Sequence, residues 1–520
     1  MIIINSAAYV NSEFVNEIGL IPPCFLPLGN KKLLYQQVKA LRSFFKGESI
    51  YVSLPRSYVT SVDENKLIES LNIQIIFIPE TLSLGMALLY LLNTIIFDDE
   101  TVRLLHGDTL LLDFPSENNV VALSTSDENY KWERQDSISG VRNIWCGYFS
   151  FSSVHYFIQS LALTEGDFVK AVRLYDENCK LAFSKVDIWL DFGHINTYFK
   201  SRAMITTQRV FNSLKIENGI VWKSGLPIVK IQAEIEWFKK IPSKMKRYTP
   251  HLLDTGLTKQ NIPYYELEYL PCLPLNELFV NGRNPIGFWN KVLKEISNFM
   301  SEARGFYPEN DKELLRKVNT DAVNLYEKKT NARLNDYNKT LKLKLDAPMK
   351  YDGIETPSIN NIVTDCIEKS IKQKVFPAVL HGDLCLSNIL FDSRSDTIKV
   401  IDPRGINFLE ELTIYGDQKY DLAKLCHSFV GLYDFIISDQ FSVYFSAELG
   451  YQIAFNNDQR IQNLQKAFLE KEFLPGYATA EIIPLTILLF ISMVPLHSDK
   501  PERQRAMVIN SVRLYKEYVL

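Results

Sequence analysis

The sequence predicts an α/β protein in which a layered α/β domain precedes a two-lobed α+β domain, and three observations support this prediction. Strand patterns alternate with helical patterns from residue 1 to about residue 203, as they do around a mostly parallel sheet. Short strands follow in residues 204–274, where Asn218-Gly219 is a strong hairpin signal. From Asn281 to about Gln373 the chain is polar and rich in helical patterns, so we expect a mainly helical second part of this domain, which we place at residues 275–520.

The elements of residues 1–203 follow in chain order from their apolar periodicity. We expect a strand at Ile2–Asn5, a helix at Lys32–Phe45, strands at Ser49–Leu54 and Gln74–Ile78, a helix at Leu84–Ile96 and a strand at Val102–Leu105. Asp108 comes shortly after the last of these strands. Because α/β sheets bind ligands at the carboxyl ends of their strands, Asp108 is a candidate site residue.

Composition and charge describe an ordinary globular protein of 520 residues, with 46% hydrophobic and 23% charged residues. The net charge is −4 and no dense Lys/Arg stripe occurs, which argues against a nucleic-acid partner. The seven cysteines lack CxxC spacing, so a reducing cytoplasm is favoured. Met1–Ile4 predicts a strand rather than a signal peptide. Ile482–Leu496 is apolar but short and holds two prolines, which favours a buried helix over a membrane span.

The stretch His381-Gly-Asp-Leu-Cys-Leu-Ser-Asn388, followed by Ile401-Asp402, is the most informative motif. Phosphoryl transfer requires a carboxylate that orients the attacking hydroxyl and two oxygen ligands that hold Mg²⁺ on the nucleotide phosphates. The spacing predicts Asp383 as the catalytic carboxylate and Asn388 and Asp402 as metal ligands. The alternative is a buried His-Asp pair in a turn, with Asp402 an ordinary carboxylate at a strand end. The apolar strand patterns that bound the loop argue against this alternative.

This motif resembles that of the aminoglycoside phosphotransferase and choline kinase superfamily, the small-molecule branch of the protein-kinase-like fold. The resemblance implies a two-lobed domain that uses ATP, with an ammonium group held by a helix glutamate against the α/β-phosphates. Lys223 ends an apolar strand, and Glu234 opens a helical pattern further on. We therefore expect these two residues to pair. Glu236 is the competing partner, and an ordinary surface lysine is the alternative for Lys223.

Further nucleotide contacts are implied by the same resemblance. Asn212 and Ser213 stand in a polar turn where the superfamily also uses a short polar turn near the nucleotide. Glu268 lies in Tyr264–Pro271, which resembles the linker whose backbone receives adenine, and an ordinary strand is the alternative. Asp421 resembles the superfamily's helix-start aspartate after the metal site, and an N-cap role would explain it without chemistry.

The large lobe carries few motifs. Lys312–Leu345 has Lys and Glu at helical spacing and predicts an exposed helical insert, whereas the prolines and glycine of Asp346–Pro357 predict a loop. Aromatic residues that could form either core or a cage for a choline-like cation are Phe288, Trp289, Tyr307, Tyr326 and Tyr337. Core is favoured at such spacing. The expected acceptor is a small molecule, either a sugar or an amino-alcohol.

Residues 1–203 resemble the sugar-phosphate nucleotidyltransferases through several short motifs in the right order: Leu26–Leu34, Leu84–Ala87, Leu105–Asp108, Gly147–Ser150 and Trp189–Gly193. The resemblance implies that Asp108 and Asp191 hold one Mg²⁺, which suits attack of a phosphate on CTP or UTP. It also implies nucleotide contacts for Lys31 and for Gly85, which lies in the motif near the base.

Two residues depart from that family's pattern. Glu13 stands where the family has an arginine, in a loop, Ser6–Glu13, that also has bulky residues at both glycine positions. Cys24 stands where the family has a lysine. Exchanging a triphosphate-binding cation for an acid loses attraction and adds repulsion. Nucleotidyl transfer and its loss therefore both stay open.

Two functions follow from these observations. The first is a bifunctional enzyme that phosphorylates a small-molecule hydroxyl with ATP and couples the phosphate to a nucleoside triphosphate. Its product would be an NDP-activated precursor for surface polysaccharide synthesis. The second is a small-molecule kinase whose N-terminal domain serves binding or oligomerisation only. A protein without catalysis is disfavoured by the complete set of kinase-type residues, and a homo-oligomer is compatible with either function.

Overall fold

The computed structural model describes residues 1–95, 101–125, 134–136, 142–205, 212–340 and 345–520. The chain divides into two compact units. The N-terminal unit contains residues 1–205 with 281–284, and the C-terminal unit contains residues 206–280 with 285–520. Each unit has its own sheets and its own buried apolar residues.

A mixed β-sheet organises the N-terminal unit. The strands of this unit are β1 (Ile2–Asn5), β2 (Pro27–Leu28), β3 (Lys31–Lys32), β4 (Ile50–Pro55), β5 (Gln74–Ile78), β6 (Val102–His106), β7 (Thr109–Leu111), β8 (Val120–Thr125), β9 (Arg134–Asp136), β10 (Arg142–Phe151), β11 (Ala182–Lys185) and β12 (Trp189–Asp191). The order across the main sheet is β11-β8-β10-β6-β1-β4-β5. β1 runs parallel to β4 and β6, whereas β10 runs antiparallel between β6 and β8.

Helices alternate with these strands along the chain, and some of them bury apolar residues of the main sheet. They are α1 (Ser12–Ile18), α2 (Leu33–Phe44), α3 (Val62–Ser70), α4 (Leu84–Thr94), α5 (Val154–Leu163), α6 (Phe168–Cys179) and α7 (Ile195–Met204). Leu104 and Phe149 of the sheet share one buried cluster with Leu88 of α4 and Phe168 of α6. The layered α/β architecture predicted for this part is confirmed, and β6 delivers Asp108 to the rim of a packed layer.

An antiparallel sheet and one helix begin the C-terminal unit. The strands are β13 (Asn212–Glu217), β14 (Ile220–Gly225), β15 (Leu252–Leu257) and β16 (Pro263–Glu268), and the helix is α8 (Ile228–Lys240). The strand order is β13-β14-β16-β15. Asn218 and Gly219 form the predicted hairpin turn, with left-handed φ angles of 51° and 77°, as such a two-residue turn requires. Trp237 and Phe238 of α8 are buried.

The rest of the C-terminal unit is mainly helical. Its helices are α9 (Leu275–Asn281), α10 (Ile286–Gly305), α11 (Lys312–Val323), α12 (Lys329–Thr340), α13 (Ile359–Lys372), α14 (Lys419–Phe429), α15 (Tyr433–Ile437), α16 (Gln459–Glu470), α17 (Ile483–Met493) and α18 (Pro501–Tyr518). Its short strands are β17 (Leu273–Pro274), β18 (Met349–Tyr351), β19 (Ile354–Thr356), β20 (Pro377–Val379), β21 (Ile389–Asp392), β22 (Thr397–Val400), β23 (Tyr415–Asp417), β24 (Phe441–Ser446) and β25 (Gly450–Phe455). The predicted small sheet lobe and large helical lobe are thus both present.

One segment of the large lobe differs from its prediction. Asp346–Pro357, expected to be a loop, contains the antiparallel pair β18–β19. Its turn is formed by Asp352 and Gly353, whose φ angles of 47° and 78° are left-handed. The Asp-Gly signal for a hairpin therefore outweighs the neighbouring prolines.

The apolar and aromatic stretches of the large lobe are core. Trp289, Tyr326 and Tyr337 are at most 2% exposed, so they pack rather than form a cage open to a cation. Thr479–His497, which includes α17, is long and apolar enough to cross a membrane by composition, and 72% of it is buried among the described residues.

Candidate active site

His381 fixes the loop that carries the catalytic-type motif. It is fully buried after β20. Its Nε2 lies 3.0 Å from the carbonyl oxygen of Ile401, and its Nδ1 lies 3.2 Å from the backbone nitrogen of Asp383. Burial lowers the pKa of His381 to about 4, so the ring is neutral at pH 7. A neutral ring that donates through Nε2 and accepts through Nδ1 ties the loop to the end of β22.

Asp421 supports the same loop from helix α14. Its carboxylate accepts the backbone N–H groups of His381 at 2.9 Å and of Gly382 at 2.8 Å. Gly382 has a φ of 79°, and a Cβ there would lie 2.7 Å from Cβ of Arg404, so glycine is required. The N-cap explanation for Asp421 is wrong, because this residue lies inside α14 and bonds to the loop. Its role is nevertheless to hold structure.

Asp383 lies at the opening of the loop with its side chain 41% exposed. Its Oδ1 is 2.9 Å from Nζ of Lys424. Asn388 donates its amide N–H to the backbone carbonyl of Asp383 at 2.9 Å and to Oδ2 at 3.2 Å. Desolvation would raise the pKa of Asp383, but the Lys424 ammonium outweighs it and the pKa is lowered to about 2. The carboxylate is therefore ionised and fixed at pH 7.

Asn388 and Asp402 are brought together by the β21–β22 hairpin. The backbone N–H of Ile401 donates to the Asn388 carbonyl at 3.0 Å. Asp402 follows with a left-handed φ of 56°, which aspartate tolerates better than most residues. The Asn388 amide nitrogen is engaged with Asp383, while its Oδ1 accepts a long 3.3 Å hydrogen bond from Ser387. An amide oxygen and a carboxylate are ligands that Mg²⁺ prefers, so this pair fits such an ion.

Lys223 of β14 joins the small lobe to the metal-type carboxylate. Its Nζ lies 2.7 Å from Oε2 of Glu234 in α8 and 2.9 Å from Oδ1 of Asp402. Burial alone would lower the pKa of Lys223, but the charges of Asp402 and Glu234 raise it above its ordinary value. Tyr265 also donates its hydroxyl to Glu234. The competing residue, Glu236, instead pairs with Lys240 at 3.1 Å on the exposed face of α8.

The remaining candidates of the C-terminal unit lie around the small lobe. Glu268 ends β16, where its backbone N–H donates to the His251 carbonyl at 3.0 Å. Asn212 and Ser213 begin β13 rather than a turn, and they pair with Gly225 and Ser224 of β14. The side chains of Asn212 and Ser213 lie outside the described residues. The second predicted turn, at Asn218-Gly219, lies at the other end of β13.

Several charged residues beside Asp383 were missed by sequence reasoning. Lys424 lies one helical turn after Asp421 on α14, so both side chains reach the catalytic loop from one helix face. That spacing is a usable sequence signal. Lys329 begins α12, and its Nζ lies 3.0 Å from the hydroxyl of Tyr420. No local pattern connects Lys329 with residues ninety positions later, so only the tertiary fold reveals this contact.

In the N-terminal unit, Asp108 and Asp191 converge. Asp108 follows β6 and Asp191 ends β12. A Cβ on Gly193 would lie 2.7 Å from Oδ2 of Asp108 and 3.2 Å from Oδ1 of Asp191, so both carboxylates flank this glycine. Burial and then the charge of Asp191 raise the pKa of Asp108 to about 6. Two converging carboxylates are a donor set that suits Mg²⁺, although the described part of the chain holds no cluster of three or more His, Cys, Asp or Glu for a metal.

The triphosphate side of this unit lacks the cations of the family pattern. Asn11 accepts the backbone N–H groups of Glu13 and Phe14 at 3.1 and 3.3 Å, so these amides of α1 are already satisfied. Glu13 acts on His194, whose pKa is raised mainly by Asp191, with Oδ2 3.8 Å from Nδ1 of His194, and to a smaller degree by Asp108 and Glu13. Glu13 therefore adds negative charge near the carboxylate pair.

Cys24 is closed off from solvent. It is fully buried, and its backbone N–H donates to Oγ of Ser6 at 3.0 Å. Burial raises the pKa of its thiol to about 12. The position at which the family has a lysine is therefore neutral and buried here.

Lys31 and Gly85, the two remaining nucleotide-contact candidates of the N-terminal unit, make contacts within this unit. Lys31 of β3 is partly buried, with Nζ 5.8 Å from the centre of the Tyr35 ring. Gly85, in the first turn of α4, packs so closely that a Cβ would lie 2.3 Å from the Gly166 carbonyl oxygen. This contact is a packing reason for glycine, and contact with a nucleotide stays a prediction for both residues.

Comparison with known proteins shows that the chain is similar to several solved structures. No protein-family model and no curated protein matches the chain. A thermostable mutant of aminoglycoside phosphotransferase APH(4)-Ia is 10% identical, with a TM-score of 0.39, over 61% of this chain and 94% of that one. The GDP and kanamycin complex of APH(2'')-IIIa is 12% identical, with a TM-score of 0.38, over 60% and 92%. The nucleoside-diphosphate-sugar pyrophosphorylase of Vibrio cholerae RC9 is 13% identical, with a TM-score of 0.31, over 39% and 99%.

These neighbours are enzymes of the two classes that the sequence resembles, phosphotransferases and sugar nucleotidyltransferases. The chain itself contains a layered α/β unit, followed in sequence by a unit with a small antiparallel sheet and a large helical part.

Proposed function

We propose that the C-terminal unit transfers the γ-phosphoryl group of ATP to a hydroxyl of a small molecule. One observation carries this proposal: two groups of polar contacts, tied together by the backbone bond from Ile401 to Asn388, contain the four residue types that phosphoryl transfer requires. Asn388 bonds to Asp383, and Lys223 bonds to both Asp402 and Glu234. A structural ion pair would not need a carboxylate, an amide and an ammonium assembled from both lobes.

Asp383 would orient the acceptor hydroxyl. The acceptor oxygen forms a bond to the γ-phosphorus, the bond from that phosphorus to the bridging oxygen breaks, and ADP leaves. The hydroxyl proton passes to Asp383. Because the transition state of phosphoryl transfer is loose, the nucleophile needs little deprotonation before attack. A carboxylate whose pKa is lowered to about 2 therefore suits orientation and late proton acceptance.

The nucleotide would lie between the lobes of this unit. Lys223 would contact the α/β-phosphates, and the backbone of Tyr264–Pro271 would receive adenine. Asn388 and Asp402 would hold Mg²⁺, which neutralises charge on the β- and γ-phosphates when it is bound. The neutral His381 and the Asp421 carboxylate keep the loop in place and take no part in proton transfer.

The test is a panel of neutral sugars, amino-alcohols and their acidic derivatives, scored for ADP formation from ATP. We expect Mg²⁺-dependent ADP formation with at least one acceptor, and loss of it in Asp383→Asn. The exposed Asp396, which pairs with Lys291 at 2.9 Å, offers the matched control Asp396→Asn. Equal turnover by wild type and Asp383→Asn would contradict the proposal.

A second activity is favoured by the converging carboxylates of Asp108 and Asp191. These residues would hold Mg²⁺ while the phosphorylated acceptor attacks CTP or UTP, giving an NDP-activated precursor for a surface polysaccharide. Glu13 and Cys24 weigh against triphosphate binding and favour the alternative, in which the N-terminal unit serves binding or homo-oligomer formation. The free cysteines suit a reducing compartment such as the cytoplasm.

Pyrophosphate release separates these alternatives. If the N-terminal unit is active, CTP or UTP and the phosphorylated acceptor release pyrophosphate, and Asp108→Ala abolishes this release while Asp402→Ala does not. If no nucleotide-linked product forms with either triphosphate, the N-terminal unit is a binding module and the C-terminal unit is a kinase only.

A further inference from the structure

A cationic cluster lies beside Asp383 and consists of Lys329, Arg404, Tyr420 and Lys424. The charged groups of Lys329, Arg404 and Lys424 lie 5.5, 5.9 and 6.0 Å from the centre of the Tyr420 ring. Three cations therefore converge on one aromatic side chain. Lys424 connects the cluster to the reacting centre, because its Nζ is 2.9 Å from Oδ1 of Asp383.

The positive charge of this cluster exceeds its negative charge. Asp383 balances Lys424. Within the described residues, Lys329 donates to the neutral hydroxyl of Tyr420, and neither Lys329 nor Arg404 forms an ion pair. Grouped cations without a counter-charge are unfavourable, and partly buried charges normally occur with a partner. Asp383 also acts on Lys329, and Asp421 acts on Lys424. Among the described residues, Lys424 alone of the three cations contacts a carboxylate, so the cluster can accept a further anion.

The electrostatics of Tyr420 support this geometry. Burial would raise the pKa of its phenol, but Lys329, Lys424 and Arg404 lower it to about 8. Burial lowers the pKa of Lys329, Tyr420 opposes this shift, and the nearby charges of Arg404 and Lys424 lower the pKa further. All three cations thus act on one small region next to the catalytic-type carboxylate.

We propose that the cationic cluster binds an anionic group, a carboxylate or a phosphate, that the acceptor carries near its reacting hydroxyl. This inference rests on the proposed kinase function. Lys329 comes from the helical insert and Lys424 from α14, whereas the nucleotide-type lysine, Lys223, comes from the small lobe. Arg404 suits the role because its planar guanidinium can donate two parallel hydrogen bonds to either kind of oxyanion.

The proposal narrows the substrate class. Among sugars and amino-alcohols, a simple amino-alcohol would place an ammonium against three cations, and that repulsion opposes binding. A hydroxy acid or a sugar phosphate would instead supply a further counter-charge. The attacking hydroxyl would then be held between Asp383 and the anchored anion.

Acceptor kinetics test the proposal in wild-type protein. The acceptors are glycerate, glucose 6-phosphate, glucose and ethanolamine, so carboxylate, phosphate, neutral and cationic chemistry are compared. We expect kcat/KM to be at least about tenfold higher for one of the anionic acceptors, a difference of about 1.4 kcal/mol. A preference for glucose or ethanolamine overturns the anion site and leaves the kinase proposal intact.

Substitutions in the cationic cluster test whether the preference for an anionic acceptor arises there. Arg404→Gln and Lys329→Met should raise KM for the anionic acceptor about tenfold, with KM for ATP unchanged. Arg404→Lys should restore part of the loss, and the control Lys291→Met, at an exposed ion pair, should behave as wild type. A raised KM for ATP with an unchanged KM for the acceptor would assign the cluster to the transferring phosphate and overturn the proposal.

A binding measurement decides the inference without catalysis. Calorimetric titration of the full-length protein with inorganic phosphate, and separately with glycerate, should show binding that weakens about tenfold in Arg404→Gln and not in Lys291→Met. Equal binding by Arg404→Gln and wild type would overturn the anion site. Absence of ADP formation with every acceptor would reject the kinase proposal, whereas the titrations would still report on the cluster.

Discussion

The two candidate sites differ in how their charges are balanced. In the C-terminal unit, Asp383 lies 2.9 Å from Lys424, and Asp402 lies 2.9 Å from Lys223. In the N-terminal unit, Asp108 and Asp191 face each other across Gly193. The pKa of Asp383 is lowered to about 2, whereas that of Asp108 is raised to about 6. The first site is therefore organised by its own ion pairs, and the second gathers like charges that require a cation.

The largest effect is expected for Asp383→Asn. If the paired site is the reaction centre, loss of this carboxylate lowers kcat for ADP formation by at least roughly a hundredfold, the scale of losing a positioned base. The measurement is steady-state ADP formation with the best acceptor, beside Asp396→Asn. Near-normal turnover of Asp383→Asn would mean that the paired charges of the C-terminal site are structural and that this site is not the reaction centre.

The next largest effect is expected when Glu234 is substituted, with the neighbouring Glu236 as the control. Glu234→Gln removes one of the two charges that hold Lys223, and we expect kcat/KM for ATP to fall about tenfold. Glu236→Gln changes only an exposed pair with Lys240 and should have little effect. Equal losses in both variants would mean that the position of Lys223 does not depend on Glu234.

The pH dependence of local stability gives the smallest effect and tests the comparison directly. The pKa of Asp383 is lowered, so its stabilisation is complete above the unfolded value near 3.8 and is lost as the pH falls towards about 2. The pKa of Asp108 is raised, so its contribution is most favourable below about 3.8 and is lost as the pH rises through about 6.

At pH 7, Asp108→Asn should therefore stabilise the N-terminal unit, and Asp383→Asn should destabilise the C-terminal unit by about 1 kcal/mol or less, since solvent screens its partly exposed carboxylate. Hydrogen exchange of amides in β6 and β21 reports on each unit separately. If the two substitutions change the stability of their units in the same direction, the proposed difference between the two sites is wrong.

Local sequence patterns predict much of the fold and of the C-terminal candidate site. Asp383, Asn388 and Asp402 lie within one loop and hairpin, so their spacing alone indicates their proximity. The hairpin at Asn218-Gly219 and the strand at Gln74–Ile78 also follow from short-range chemistry. The layered α/β part was likewise visible in the alternation of strand and helix patterns, whereas the two-lobed part was implied by the resemblance of the catalytic-type motif.

What escaped prediction depends on distant parts of the chain. Lys329 and Arg404 meet at Tyr420 because α12, α14 and the segment after β22 pack together, and no spacing rule connects them. The antiparallel β10 in the centre of the sheet is a choice among pairing partners that an apolar strand pattern does not specify. At Asp352-Gly353 the local turn signal outweighs the nearby prolines, so composition alone does not predict this hairpin.

The double engagement of Lys223 has a consequence for how ligands bind. Its ammonium is shared between Glu234 and Asp402, so the phosphates of a nucleotide bound as proposed would have to compete with Asp402 for it. A divalent cation that takes over Asp402 frees Lys223, and by thermodynamic linkage each ligand then strengthens the other. Nucleotide without a bound metal ion would therefore bind more weakly than expected from the loss of the metal's charge alone. The protein would thus select for nucleotide that arrives with its metal, through one lysine shared by two carboxylates.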